Sequence, residues 1–321
     1  MAAKIIFIGK RRDLCQSLRR VAVGAGHEFA VAQDLAEAAG SIDPADPPIF
    51  FAEPEQSPAE NPAHATLDPG LWRRMVWIVP GELDTYVLQM KDRPWVGHLT
   101  SGARGISPED LLATAQKILR NDVFGLEKYL GWGTAIRSKQ LHHSLDRLEL
   151  LEECRVYGEE LGVDSRRVSN FCRVLDELVQ NAIFHAPRDA TGNSIHRFTP
   201  RDAAFDLPGA REITVKYGCN GSHMGLSVRD EWGSLEPQTL LAKLEAGVRG
   251  DTQVTEDYPG AGIGLYMALR LMNQFIVNLE PSVSAETIGL LDVASVYAEH
   301  RRTRRSFHIF LKSSAPPGGG S

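Results

Sequence analysis

The sequence contains few cysteines, and none of them stands in a paired motif. The four cysteines of the 321-residue chain are Cys15, Cys154, Cys172 and Cys219. Because no two of them have a CxxC spacing, the pattern argues against a disulfide framework and against a zinc site. Scattered single cysteines favour reduced thiols and a cytoplasmic protein.

The chain also lacks long hydrophobic runs and a strong excess of charge. The apolar run in its opening, MAAKIIFIGKRR, is too short for a signal peptide or a membrane span. The formal net charge of −6 argues against nucleic-acid binding through global charge. A local basic run, Arg301 to Arg305, is interpreted as a solvated face. With 43% hydrophobic residues, the 321-residue chain is predicted to be a soluble protein of about two domains.

Short apolar runs alternate with helical patterns through the first part of the chain. The predicted strands are KIIFIG (4–9), EFAVA (28–32), PIFFAE (48–53), MVWIV (75–79) and WVGHL (95–99). One helix is predicted from about Asp13, and another over 107–119, with Ser107 as its N-cap and Pro108 in its first turn. This alternation predicts a doubly wound parallel α/β sheet that ends near Asn121.

The size and element order of this first domain, residues 1–121, resemble those of a response-regulator receiver. The resemblance implies an acidic pair for magnesium, a phosphoacceptor aspartate, a Ser or Thr, and a Lys, each after a particular strand. In that order the chain has Lys10, Arg11 and Arg12, then Glu53, then Pro80, then Thr100 and Ser101. Because cations cannot coordinate Mg²⁺, the domain is identified as a degenerate receiver, or pseudo-receiver.

Glu53 permits two interpretations. Its carboxylate either imitates a permanent phosphoryl charge or belongs to an ordinary solvated residue at a strand end, and we favour the second. The segment that follows, EPEQSPAENPAHATLDPG (53–70), is rich in proline and polar residues. It is expected to form an extended, mobile loop.

After residue 121 the pattern turns helical and then mixed. The spacing of Leu141, Leu145 and Leu148 predicts a helix, placed at about 144–161, with His142 and His143 at its start. A second helix is predicted over 164–186, with Asp164 as its N-cap. Later runs predict a hairpin around the turn CNGS, an ambiguous helix or strand in ETIGLLDVASVY, and a strand in SFHIFLK. The tail, residues 313–321, is predicted to be disordered.

Three motifs of this second part carry the candidate chemistry. DELVQNAIFHA (176–186) places Glu177, Asn181 and His185 at successive four-residue steps of one helix. RDEWGSL (229–235) ends a predicted strand. PGAGIGLYMA (259–268) is a glycine-rich turn that enters a helix, where backbone N–H groups can approach phosphates.

Each motif is weak alone, but their order and spacing resemble the N, G1 and G2 boxes of the GHKL ATPases. The resemblance covers roughly residues 140–312 and implies an α/β two-layer sandwich domain over 122–312 that binds ATP and Mg²⁺. It implies that Asn181 binds Mg²⁺, that Glu177 polarises water or a substrate hydroxyl, and that Asp230 accepts a hydrogen bond from the adenine amino group. The other implied binding residues are His185 near the phosphates, Gly233 beside the base, and Gly260, Gly262, Gly264 and Leu265 in the phosphate turn.

His185 has a second interpretation, and a further segment is expected to cover the nucleotide. His185 is equally well explained as an ordinary polar helix residue. The segment from about Glu236 to Tyr258 is expected to form a mobile lid over the nucleotide.

Within this superfamily the second domain is most similar to the anti-sigma-factor serine kinases. Those kinases and the histidine kinases usually carry a Lys or Arg three residues after the Asn, where this chain has Phe184. Arg188 and Arg249 are candidates to replace the missing charge.

Two functions from different classes follow from these observations. The first is a bacterial signalling ATPase or serine kinase, regulated by the pseudo-receiver, with a protein signalling partner as phosphoacceptor. The second is a nucleotide-gated adaptor with little turnover. A histidine kinase acting on His142 or His143 is disfavoured, because Ser144 and Leu145 follow the pair. The sequence does not name the partner or decide between a monomer and a homodimer.

Overall fold

The computed structural model describes residues 3–40, 42–43, 46–56, 73–93, 96–102, 106–189, 191–209, 211–250, 263–294 and 305–312. The chain is a mixed α/β protein. It divides into two compact units, one made of residues 1–123 with 304–321 and the other of residues 124–303. The boundary expected near Asn121 lies close to this division, but the end of the chain returns to the first unit.

The first unit is built on a parallel sheet. Its parallel strands are β1 (Lys4–Ile8), β2 (Glu28–Ala32), β3 (Ile49–Ala52), β4 (Met75–Val79) and β5 (Val96–Ser101). They pair in the order β2-β1-β3-β4-β5, which is the order of flavodoxin-like doubly wound sheets. Each of the predicted strands of this region is therefore confirmed.

Helices follow these strands and cover the sheet. They are α1 (Arg12–Gly24), α2 (Leu35–Ala39), α3 (Leu83–Met90) and α4 (Pro108–Arg120), with a 3-10 turn at Pro54–Gln56. Ser107 caps α4 as predicted, since its Oγ accepts a hydrogen bond from the Asp110 backbone N–H at 3.3 Å. Ile5 and Phe7 of β1 pack into one core with α1 and α4. Because the intervening Ile6 is also buried, both faces of the sheet are covered, as continuous apolar strands require.

The second unit is built on an antiparallel sheet. Its strands are β6 (Ile136–Leu141), β7 (Ile213–Cys219), β8 (His223–Asp230), β9 (Gln274–Glu280) and β10 (Ser284–Asp292). They pair in the order β6-β7-β8-β10-β9. The predicted hairpin is confirmed as β7 and β8, with Gly221 at φ 89° in the turn. The ambiguous run at 286–297 contributes most of β10 and is a strand there.

Helices of the second unit pack on this sheet or on one another. They are α5 (Glu127–Leu130), α6 (Asp146–Glu160), α7 (Ser165–Gln180), α8 (Pro237–Arg249) and α9 (Ile263–Leu271). Helix α7 contacts β8 and β10 and lies between α6 and α9. Its predicted N-cap is confirmed, because the Asp164 carboxylate accepts hydrogen bonds from Arg166 N at 3.1 Å and Arg167 N at 3.3 Å. One π-helical turn, Asn181–His185, continues α7.

The predicted helix over 144–161 is confirmed as α6, but the placement of His142 and His143 on it is wrong. The helix begins at Asp146, and His142 and His143 lie in the turn that follows β6. The Asp146 carboxylate holds this turn by accepting hydrogen bonds from the backbone N–H groups of both histidines, each at 2.8 Å. Leu141, which suggested helical spacing, is instead the last residue of β6.

The last strand, β11 (Ser306–Leu311), pairs antiparallel with β5 in the first unit. The sequence predicted this run to be part of the second domain, residues 122–312. A buried polar cluster fixes the strand, since Asp110 accepts hydrogen bonds from Ser306 Oγ at 3.2 Å, His308 Nε2 at 3.1 Å and Thr100 Oγ1 at 3.3 Å. Strand β11 thus covers backbone groups of β5 that a five-stranded sheet would leave unpaired at its edge.

Some expectations fall outside the described residues. These are most of the proline-rich segment (57–70), Gly260 and Gly262, the end of the expected lid (251–258), most of the basic run (301–304), and the tail (313–321). Within the part of the chain that the structure describes, no helix is both long enough and apolar enough to cross a membrane.

Candidate functional site

The second unit contains a cavity of about 340 Å³. Four of the predicted site residues line it: Asn181, His185, Asp230 and Leu265. The wall is completed by residues of β10 and α8 and of the connecting segment, defined here as residues 186–212. The motifs that are far apart in sequence are therefore brought to one cavity, with Asn181 and His185 after α7, Asp230 at the end of β8 and Leu265 in α9.

The π-helical turn sets the direction of Asn181 and His185. Its i→i+5 bond runs from the Ala186 N–H to the Asn181 carbonyl at 3.1 Å. Residues four positions apart lie on the same face of this turn, as they do in an α-helix. Asn181 and His185 accordingly both line the cavity, while Ile183 and Phe184 between them are fully buried. Turns of this kind occur frequently at functional sites.

Asp230 is a buried carboxylate with one oxygen left for a ligand. Its Oδ1 accepts hydrogen bonds from the backbone N–H groups of Trp232 at 2.9 Å and Gly233 at 3.1 Å. Its Oδ2 has no hydrogen-bond partner among the described residues. Burial raises the pKa of Asp230 to about 6, although the two N–H groups act against this shift. The side chain is therefore oriented and partly desolvated, as suits the recognition of a single donor.

Gly233 supports Asp230 but does not line the cavity. It has φ 58°, and a Cβ at this position would lie 2.5 to 2.6 Å from backbone atoms of Glu280, Val283 and Ser284. The Gly233 carbonyl also accepts a hydrogen bond from Ser282 N at 3.0 Å. Glycine is required here because the turn after β8 packs tightly against the β9–β10 turn.

Glu177 lies one helical turn before Asn181 and is half-buried. It is not among the described residues that line the cavity. Its carboxylate lies against Gly264, where a Cβ would overlap it. Burial raises the pKa of Glu177, the Asp176 carboxylate raises it further, and Arg173 and Arg201 lower it. The Glu177 carboxylate has no hydrogen-bond partner among the described residues.

Positive charge is concentrated around His185. Burial is the main cause that lowers the pKa of His185 to about 4, and four cations lower it further. In order of their effect they are Lys243, Arg201, Arg188 and Arg197. The imidazole is therefore neutral near pH 7, and this end of the cavity attracts anions.

The sequence predicted only part of this basic cluster. Arg188 lines the cavity as expected of a candidate replacement, whereas Arg249 does not and instead pairs with Glu245 at 2.7 Å. Lys243 and Arg197 line the cavity but were not predicted. A long connection such as residues 186–212 is itself a signal of function, but the sequence does not show which of its residues reach the cavity.

Phe184 occupies the position at which the resemblance implies a basic residue. It is fully buried and packs edge to face against Phe205, with ring centroids 5.7 Å apart. The guanidinium of Arg201 stacks on the Phe184 ring, 4.3 Å from its centroid. A cation from the connecting segment thus lies next to the position where the charge is missing.

Asn181 is the residue of the cavity that the sequence predicted to bind a metal ion. Among the described residues, no group of three or more His, Cys, Asp or Glu side chains could hold a metal ion. The Asn181 amide lines the cavity and has no side-chain hydrogen bond to any described residue. One amide oxygen fits Mg²⁺ if the remaining ligands are phosphate oxygens and water.

In the first unit, Glu53 is tied to the loop after β1. Its Oε2 accepts hydrogen bonds from the backbone N–H groups of Lys10 at 2.6 Å and Arg11 at 3.2 Å. The Arg11 side chain pairs with Asp13 at 2.6 Å and donates to the Gly102 carbonyl at 3.2 Å. Glu53 is therefore not simply a solvated residue at a strand end, which was the interpretation favoured from the sequence.

Comparison with known proteins does not assign the chain to a family. No family model matches it, and no curated protein matches it.

Proposed function

We propose that the second unit is an ATPase domain of the GHKL type that binds Mg-ATP in this cavity. The observation that carries the proposal is Asp230, a buried carboxylate with one oxygen held by two backbone N–H groups and the other available to a ligand. Such a group accepts a hydrogen bond from the amino group of adenine. The cavity volume of about 340 Å³ is within the range of small-molecule sites.

The charge distribution supports binding of a polyphosphate near His185. Lys243, Arg188 and Arg197 line the cavity, and Arg201 contacts His185 at 2.9 Å. Cations and neutral hydrogen-bond donors that lie close together favour the binding of phosphate oxygens. When bound, Mg²⁺ would supply charge compensation for the phosphates, and Asn181 is the residue that would hold it.

We further propose that the domain turns ATP over, with Glu177 as general base, and that a protein of a cytoplasmic signalling pathway accepts the phosphoryl group. The raised pKa of Glu177 favours this function. The alternative is a nucleotide-gated adaptor with little turnover, which is favoured by the absence of Glu177 from the described lining of the cavity. Both functions require the same nucleotide site.

For the first unit we propose a pseudo-receiver that regulates the second. The strand order β2-β1-β3-β4-β5 supports the receiver part of this proposal. Lys10, Arg11 and Arg12 in place of acidic ligands support the loss of the metal site. Glu53 also supports the loss of the metal site, because its Oε2 already accepts hydrogen bonds from two backbone N–H groups.

Substituting Asn181 tests the proposed site through its dependence on magnesium. Wild-type protein is expected to bind ATP more tightly when Mg²⁺ is added, because Asn181 contributes a ligand to the metal. Asn181→Ala should lose most of this gain, about 10-fold or more in affinity, as expected for loss of a metal ligand or its support. Calorimetric titration with ATP, with and without Mg²⁺, measures the gain.

The matched control is Asn278→Ala, which removes a buried amide that donates to Glu286 at 2.8 Å and does not line the cavity. This variant should keep the magnesium dependence of the wild type. If Asn181→Ala keeps it as well, Asn181 does not bind the metal.

A further inference from the structure

Arg201 belongs to the connecting segment and makes two unusual contacts. Its Nη2 lies 2.9 Å from His185 Nε2, and its guanidinium stacks on Phe184 at 4.3 Å from the ring centroid. Its Nη1 is buried and has no hydrogen-bond partner among the described residues. Burial lowers the pKa of Arg201, Glu177 raises it, and Arg147 lowers it.

The contact with His185 determines which imidazole nitrogen carries the proton. A guanidinium has only donors, so His185 Nε2 must accept the hydrogen bond. Because His185 is neutral, with a pKa of about 4, its single proton is then on Nδ1. His185 lines the cavity, and its Nδ1 has no partner among the described residues.

Both the backbone and the side chain of Arg201 are held in place by neighbouring residues. Arg147 donates from Nη2 to the Arg201 carbonyl at 3.3 Å, and its Nη1 pairs with Asp176 at 2.6 Å. The backbone of Arg201 is thus tied to α7, while its side chain is held by Phe184. Such support from surrounding residues is typical of a preorganised functional group.

We propose that Arg201 is a positioning residue that takes over the task of the basic side chain missing at position 184. It keeps His185 neutral with its proton on Nδ1, so that the imidazole donates to a phosphate oxygen, and it supplies positive charge behind that contact. The inference rests on the proposed function: Arg201 and His185 act on the phosphates, so their interaction strengthens the binding of ATP and not of adenosine.

The protonation of His185 can be tested without any nucleotide. In long-range ¹H–¹⁵N NMR spectra of the wild type, His185 is expected to be the Nδ1–H tautomer with a pKa of about 4. Arg201→Ala should give a mixture of tautomers, because the donor to Nε2 is lost, and a higher pKa, because one of the cations is lost. An Nε2–H tautomer in the wild type, or an unchanged tautomer and pKa in the variant, would overturn the proposal.

Ligand binding gives the second arm of the test. Calorimetry with ATP and with adenosine is expected to show a loss of about 10- to 100-fold for ATP in Arg201→Ala, with adenosine affinity unchanged. Arg201→Lys should recover part of the ATP affinity, because a lysine keeps the positive charge. Arg249→Ala, whose side chain pairs with Glu245, should behave as the wild type.

An equal loss for ATP and adenosine in Arg201→Ala would indicate a purely structural role and contradict the proposal. If the wild type binds neither ligand, the proposed ATPase function fails. The NMR arm then still decides whether Arg201 positions His185.

Discussion

Replacing Asp230 with asparagine is expected to weaken ATP binding strongly and to make the protein more stable at neutral pH. The Asn amide oxygen can still accept the hydrogen bonds that Asp230 Oδ1 takes from Trp232 and Gly233. The amide nitrogen then stands in place of Oδ2, so that two donors face each other when adenine binds. Loss of a charged hydrogen bond and an unpaired donor together should weaken ATP binding by at least about 100-fold.

The stability change follows from the raised pKa of Asp230, about 6 in the folded protein against an ordinary value of 3.8. The folded state holds the proton more tightly, so the charged carboxylate costs stability. This cost is absent below pH 3.8, grows between pH 3.8 and 6, and is complete above pH 6. It is on the order of 2–3 kcal/mol. Asp230→Asn should remove it.

Urea denaturation of Asp230→Asn and wild type at pH 8 and pH 4 measures this difference. The variant should be more stable at pH 8, and the difference should nearly vanish at pH 4. A variant that still binds ATP like the wild type would show that Asp230 does not recognise the base. A variant that is less stable than the wild type at pH 8 would show that burial of the charged carboxylate does not cost the wild type stability.

Replacing Glu177 with glutamine is expected to leave ATP affinity nearly intact while lowering turnover by about 10²- to 10⁴-fold, the usual contribution of a positioned general base. Glutamine keeps the shape of the side chain against Gly264 but cannot take a proton. Turnover is measured as phosphate release or as transfer of labelled phosphate to a protein from a cell lysate.

The control is Glu149→Gln, which removes an exposed carboxylate of α6 that pairs with Lys139. It should leave turnover unchanged. If wild-type protein binds ATP but shows no turnover with any partner fraction, and Glu177→Gln cells behave like their parent, the enzyme proposal is wrong. The adaptor proposal then stands, provided that Asn181→Ala cells differ from the parent.

The parts of the fold that the sequence predicted well are those with a local signal. The buried runs of the parallel sheet, the Asn220-Gly221 hairpin and the Asp164 cap each depend on short stretches of sequence. Strand β6 was missed, and His142 and His143 were placed on a helix, because Leu141, a strand residue, continues the leucine spacing of α6. Strand β11 was recognised, but no local pattern shows which sheet a strand joins.

The residues of the candidate site also fall into those that a local motif predicts and those that only the fold brings to the cavity. The motifs led to Asn181, His185 and Asp230, and the structure brings these residues to one cavity. The positive charge contributed by Arg201 and Lys243 could not be predicted, because both residues reach His185 only through the path of the connecting segment and α8. The π-helical turn was also missed, since its sequence reads as the continuation of an amphipathic α-helix.

The most direct measurement is a calorimetric titration of the wild-type protein with ATP and, in parallel, with GTP, both with Mg²⁺. Asp230 should accept a hydrogen bond from the amino group of adenine, whereas guanine presents a carbonyl oxygen at that place, which the carboxylate repels. We therefore expect one ATP to bind per chain, with GTP at least about 100-fold weaker. No binding of ATP, or equal binding of the two nucleotides, would contradict the assignment of this cavity as an adenine nucleotide site.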